Sequence, residues 1–133
     1  MSRRITREKA FQSLYELDIT KDDAKKVIEY VKSQEDKLEM EYLRTVVLGV
    51  LDKVEEVDSH IQKYSKKWKV DRMAKVDKAI LRLGVYEILY CEDIPHSVSI
   101  NEAVELGKNF GGDTSPAFIN GILDSVAKEQ KRD

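Results

Sequence analysis

An all-α, single-domain fold is what this sequence predicts, on three observations. Apolar residues recur with the 3.6-residue period of a helix along most of the chain, and no strand-like alternation of any length interrupts them. Proline occurs only at Pro95 and Pro116. At 133 residues the chain can bury most of the surface its unfolded form would expose, so one core needs neither metal nor disulfide to hold it.

The first helix is expected over about Ile5 to Leu17. Its buried stripe is Ala10, Leu14 and Leu17, with Phe11 and Tyr15 beside it. Thr20-Lys-Asp-Asp23 supplies capping oxygens for a short second helix ending near Lys32, and the polar segment from Ser33 to Glu39 reads as a loop. Leu43, Val47, Val50, Val54, Val57, Ile61 and Tyr64 then follow at alternating spacings of 4 and 3. That seam, roughly 30 Å long, predicts one continuous third helix. A strict heptad also suits a coiled coil. A long helix on a globular core fits better, because the other apolar helices need a partner.

Val76 to Cys91 is the most apolar segment. Val76, Ile80, Leu81, Leu83, Val85, Ile88 and Leu89 nearly surround the axis, which puts this helix at the centre of a bundle, and Gly84 permits close approach by a neighbour. Glu92-Asp-Ile-Pro95 is a turn. Ser99-Ile-Asn-Glu102 has the form of a capping box, with Glu102 reaching back to the Ser99 amide. That helix should end at Gly111-Gly112. Ser115-Pro116 should open the last helix, serine as cap and proline at the first helical position, with Ile119, Ile122, Leu123 and Val126 buried. No repeat, low-complexity tract or long linker divides the chain.

Composition narrows the function classes. With 41% hydrophobic and 36% charged residues, the chain falls among soluble globular proteins. No apolar run is long enough to span a membrane, and the charges of the first seven residues are followed by no apolar stretch that would make a signal peptide. Cys91, the only cysteine, lies in an apolar run and reads as a buried, reduced thiol of a cytoplasmic protein. His60, expected on a helix surface, and His96, expected in an exposed turn, have no partner at a metal-binding spacing. Gly111-Gly112 lacks the ending of a phosphate-binding loop, and no serine sits in a Gly-x-Ser-x-Gly elbow. Lysines and carboxylates at helical spacing, such as Lys25, Glu29 and Lys32, read as solvated pairs. No catalytic residue, metal or cofactor is expected.

Charge placement remains. The formal net charge of −2 excludes a uniformly basic surface but leaves room for a local basic patch. Arg3, Arg4, Arg7 and Lys9 face only Glu8 in the first ten residues, and Arg3 and Arg7 share a face if the helix starts early. A guanidinium can grip phosphate or stack on a base, so this end suits RNA; it also suits a solvated terminus. A second basic run, from Lys63 to Lys78, either adds to that surface or neutralises the acidic stretch from Glu35 to Glu41. Asp77 and Arg82 stand among apolar residues of the central helix. Burying an unpaired charge is costly, so either both lie on one narrow exposed face or that face meets a partner protein.

The order of these motifs resembles the NusB family. Arg3-Arg4-Ile-Thr-Arg7-Glu-Lys-Ala-Phe-Gln-Ser-Leu-Tyr15 is similar to its first helix, and Val76-Asp77-Lys-Ala-Ile-Leu-Arg82-Leu-Gly-Val-Tyr86-Glu87 to its central one. Asn101 to Gly111 and Phe118-Ile-Asn120-Gly121-Ile-Leu-Asp124 match its last two helices in the right order; the segment from Asp18 to Glu39 carries no motif. The resemblance implies about seven helices in two packed halves. It also implies a transcription antitermination factor. Such a factor binds boxA RNA of ribosomal RNA leaders together with NusE, a small-subunit ribosomal protein, and joins the elongating polymerase complex without making or breaking a bond. Position by position it implies Arg3, Arg4, Arg7, Thr114 and Phe118 at the RNA, and Tyr15 and Asp77 facing NusE. Thr114 stands where some relatives carry an acidic residue. The family includes monomers and homodimers, and a homodimer would hide the RNA face.

Two other readings are open. One is a helical interaction module that binds protein without RNA specificity. The other is a relative of the helical module found in front of some ribosomal RNA cytosine methyltransferases; that activity needs a whole cofactor-binding domain that these residues do not supply.

Overall fold

The computed structural model describes residues 2–130, so the expected domain limits at 1 and 133 lie outside the described residues. Seven α-helices follow one another: α1 (Ser2–Thr20), α2 (Ala24–Gln34), α3 (Met40–Asp52), α4 (Val54–Tyr64), α5 (Lys75–Tyr90), α6 (His96–Phe110) and α7 (Ser115–Gln130). A single 3₁₀ turn, Val70–Arg72, lies between α4 and α5. Among the described residues there is no strand, and no helix is long and apolar enough to cross a membrane.

The apolar periodicity places α5 where it was expected. It packs against α1, α3, α4, α6 and α7, at the centre of the bundle. Ile80, Leu81 and Leu83 of α5 belong to one core with Leu43 of α3, Ile61 of α4, and Ile119 and Leu123 of α7, all essentially without solvent contact. Each such side chain contributes about 1.5–3 kcal/mol by leaving water. Gly84 lets α7 approach closely: a Cβ built there would lie 2.7 Å from Leu123 Cδ1. Gly49 of α3 plays the same part against the ring of Tyr86.

Local chemistry sets several ends. Asp23 caps α2, its carboxylate accepting from the Lys25 amide at 3.0 Å. Helix α1 starts earlier than the apolar stripe suggests and ends at Thr20, just before Lys21, the one non-glycine residue among those described with positive φ (60°). Lys21 N donates to Leu17 O at 3.0 Å, closing the last turn.

Three expectations need correction. The seam from Leu43 to Tyr64 is two helices. The chain breaks at Lys53 (φ −108°, ψ 24°), where neither proline nor glycine stands. The break lets α3 pack against α1 and α2 while α4 turns to α7. Ser99-Ile-Asn-Glu102 is no capping box. Helix α6 begins at His96 behind Pro95, and Ser99 lies a turn inside it, buried. Finally, Ser115 is the first residue of α7 rather than its cap. Thr114 O accepts from Phe118 N at 3.1 Å, and Pro116 follows one place later.

Candidate functional site

The three N-terminal arginines, one turn or less apart, have three different environments. Arg7 points inward and is 4% exposed. Its Nε donates to Glu87 Oε2 at 2.8 Å and its Nη2 to Glu87 Oε1 at 3.2 Å. Glu87, 1% exposed, also accepts from Tyr42 Oη and from Ser99 Oγ, the latter at 2.7 Å. One carboxylate of α5 thus holds donors from α1, α3 and α6. Burial alone would lower the Arg7 pKa, but the hydrogen bonds and charge of Glu87 outweigh it and the net shift is upward. Burial, followed by the charge of Glu87, pushes the Tyr42 phenol well up, so it stays a donor. Arg7, implied at the RNA by the resemblance, is therefore almost wholly interior, with its guanidinium held by Glu87.

Arg3 and Arg4 lie at the surface. Arg3 sits 4.3 Å over the Tyr42 ring and pairs with Glu39 at 2.9 Å. Arg4 holds Glu102 by two hydrogen bonds, 2.7 and 3.1 Å, with most of its side chain in solvent. The Arg4 hydrogen bond lowers the pKa of the Glu102 carboxyl despite partial burial. This explains the glutamate that the sequence suggested would reach back to Ser99.

Farther along α1 the stripe of Arg4, Arg7 and Phe11 continues through Tyr15 and Asp18. Phe11 packs on Phe110, ring centroids 5.3 Å apart, and Tyr15 is exposed. Asp18 meets Lys78 at 3.0 Å, Arg82 at 3.4 Å and Lys75 at 3.8 Å. Arg82 also forks onto Asp58 at 2.7 and 2.9 Å. Its charge is thus used inside the molecule, joining α1 and α4 across α5.

Asp77 behaves differently. It is half-buried and accepts from Ser115 Oγ at 2.6 Å, while that hydroxyl accepts from the Gly112 amide at 3.0 Å. The serine therefore fixes the loop before α7 to the start of α5. Asp77, Thr114 and Phe118 share a groove of about 360 Å³ with Lys67, Trp68 and Arg72. Two residues implied for RNA and one implied for the partner protein, far apart in sequence, thus line one concavity. Tyr15 is not among its lining residues. The sequence marked the basic run from Lys63 to Lys78 but not Trp68 within it; a tryptophan inside a lysine run was the available signal.

The second basic run does not face the acidic stretch from Glu35 to Glu41. Lys63 pairs with Glu129, and Lys75 and Lys78 pair with Asp18. Glu29, expected beside Lys25 and Lys32, reaches Arg44 at 3.3 Å. Cys91 is half-buried rather than buried, and burial first, then the charges of Glu87 and Asp93, push its thiol up to about 11. His60 lies half-buried, 3.7 Å from Glu129, and His96 opens α6 rather than standing in a turn. Among the described residues no group of three or more His, Cys, Asp or Glu is placed to hold a metal ion.

The fold and the site define a class: an all-helical binding protein whose candidate surface draws on α1, the α4–α5 loop and the start of α7. The chain belongs to the NusB family, whose sequence model matches residues 4–128. It is 43% identical over 132 residues to the transcription antitermination protein NusB of Bacillus pumilus, covering 99% of each chain. To NusB of Acetivibrio thermocellus it is 49% identical over 130 residues, covering 96% of this chain and 90% of that one. Among solved structures, T. maritima NusB matches with a TM-score of 0.90 at 35% identity, covering 97% of this chain and 92% of that one. A structure of the antitermination factors NusB and NusE in complex with dsRNA matches with a TM-score of 0.85 at 27% identity, covering 96% of each chain.

Proposed function

We propose that this protein is a cytoplasmic transcription antitermination factor that binds boxA RNA of ribosomal RNA leaders together with NusE and joins the elongating polymerase complex. The observation that carries this reading is the groove in which Thr114 and Phe118 meet Asp77. In this reading Arg3 and Arg4 contact RNA phosphates from the edge of α1, and Arg7 holds that edge in place through Glu87. Thr114 and Phe118 contact RNA at the groove, while Asp77 and Tyr15 face NusE. A carboxylate already fixed by a serine suits an arginine or lysine of a protein partner. No step here makes or breaks a covalent bond.

The test is a titration of fluorescein-labelled boxA-containing RNA with the protein, with and without NusE, at several salt concentrations. Tighter binding with NusE, preference over a scrambled RNA and affinity falling with salt are the expected results. Equal affinity for boxA and scrambled RNA under both conditions would reduce the protein to a helical interaction module.

A further inference from the structure

The loop between α4 and α5 carries charges that nothing in the fold uses. Lys66, Lys67, Lys69 and Arg72 are exposed, and among the described residues none of them forms an ion pair; the only carboxylate within this stretch is Asp71. In their midst stands Trp68, 47% exposed.

This exposure does not come from a loose loop. Ser65, itself buried, donates from Oγ to Trp68 O at 2.6 Å, and Gln62 Nε2 donates to the same carbonyl at 3.2 Å. Gln62 Oε1 accepts from Val70 N at 2.9 Å. The Trp68 carbonyl and the Val70 amide are therefore tied to the end of α4, while the indole lines the groove that also holds Phe118 and Thr114. Holding the backbone so that a large apolar ring stays half in water forgoes much of the burial that stabilises such a ring.

We infer that Trp68 is a stacking platform for an unpaired RNA base, with the neighbouring phosphates held by Lys67 and Arg72. A fixed aromatic face with cations around it is the arrangement that single strands require, because every base offers a π-face and every linkage a negative charge. A duplex offers neither end-free bases nor open faces along its length. The cations favour a polyanion over a protein surface as the occupant of this rim. The inference rests on the RNA-binding reading above and adds to it a contact from the α4–α5 loop.

Trp68 is the only tryptophan of the chain, so intrinsic emission reports on this one ring. The experiment titrates boxA-containing single-stranded RNA into the full chain. Tryptophan emission is followed in one series, and anisotropy of the same RNA labelled with fluorescein in a second. Quenching over the concentration range in which anisotropy rises is expected. Trp68→Ala should weaken RNA binding about tenfold with an unchanged thermal melt, and Trp68→Phe should retain most of the affinity. If anisotropy rises while emission stays constant and Trp68→Ala binds like the parent, the platform is refuted and the RNA-binding reading stands. If anisotropy does not rise at all, both fall together. Equal quenching by a fully paired RNA of the same length, or a Trp68→Ala variant that loses NusE rather than RNA, would also overturn the inference.

Discussion

The arginines of α1 are engaged by carboxylates of their own chain, whereas the cations from Lys66 to Arg72 are not. Arg3 has Glu39, Arg4 has Glu102 and Arg7 has Glu87. The loop has Asp71 alone, and it pairs with none of them. In sequence the two segments look alike: short, basic, with aromatic residues close by. The difference teaches that a basic run does not by itself define a binding surface. What counts is the charge left over once the fold has used its share, and how deeply the used part is buried.

The sharpest way to break that comparison is at Arg7. Arg7→Ala leaves the enclosed Glu87 side chain without its guanidinium partner and should cost about 3–5 kcal/mol of unfolding free energy in urea denaturation. That is a large part of what a domain of this size has. A cost below about 1 kcal/mol would mean that Arg7 is free to turn outward and that the two basic segments are alike after all.

A second test uses pH. Burial pushes the Asp18 carboxyl up, but the Lys78 hydrogen bond and the charges of Lys78, Arg82 and Lys75 more than reverse this, leaving it below its ordinary 3.8. With the folded value depressed, the unfolded chain takes up the proton first as pH falls. The stabilisation is complete above pH 3.8 and is lost as pH drops through the folded value. Asp18→Asn should therefore be less stable than the parent at pH 7, by an amount on the order of 2 kcal/mol. Urea midpoints measured at pH 3 should show that gap closing. A gap that does not change with pH would assign the effect to packing rather than charge.

The smallest effect on the fold should come from the loop. Lys67→Gln with Arg72→Gln should leave the thermal midpoint unchanged and weaken RNA binding. The slope of log affinity against log salt should become shallower by about 0.7 for each RNA phosphate that the variant leaves unneutralised. If this double variant melts several degrees lower, its cations are structural, as those of α1 are.

Most of the architecture was legible, because burial writes a period into a helix. The encircling apolar residues of Val76–Leu89, the small residue at Gly84 and the stripe from Ile119 to Val126 leave little choice of arrangement. The break at Lys53 was not legible. The 4–3 spacing runs through it undisturbed, no helix breaker marks it, and what bends the chain is the separate packing of α3 and α4. The site was half legible. Arg4 lies largely in solvent, and Thr114 and Phe118 fall into one groove with Asp77. The burial of Arg7 was not legible because an amphipathic helix start shows where a residue sits on the helix, and only the rest of the fold shows that a glutamate eighty residues later waits opposite. Ser99 and Glu102 failed for the same reason. Their spacing satisfies a local motif, but the buried carboxylate of Glu87 and the guanidinium of Arg4 are stronger claimants.

The tether that Gln62 and Ser65 place on the Trp68 carbonyl has a kinetic consequence. Freezing a loop residue costs about 1–2 kcal/mol of backbone entropy. Here that ordering happens when the chain folds, not when a ligand arrives. Encounters at the groove should therefore meet a landing face whose backbone is already ordered, with little waiting time for a rare conformer. Association at this face should be set by diffusion and by the pull of the surrounding cations, and selectivity should appear in how long a ligand stays.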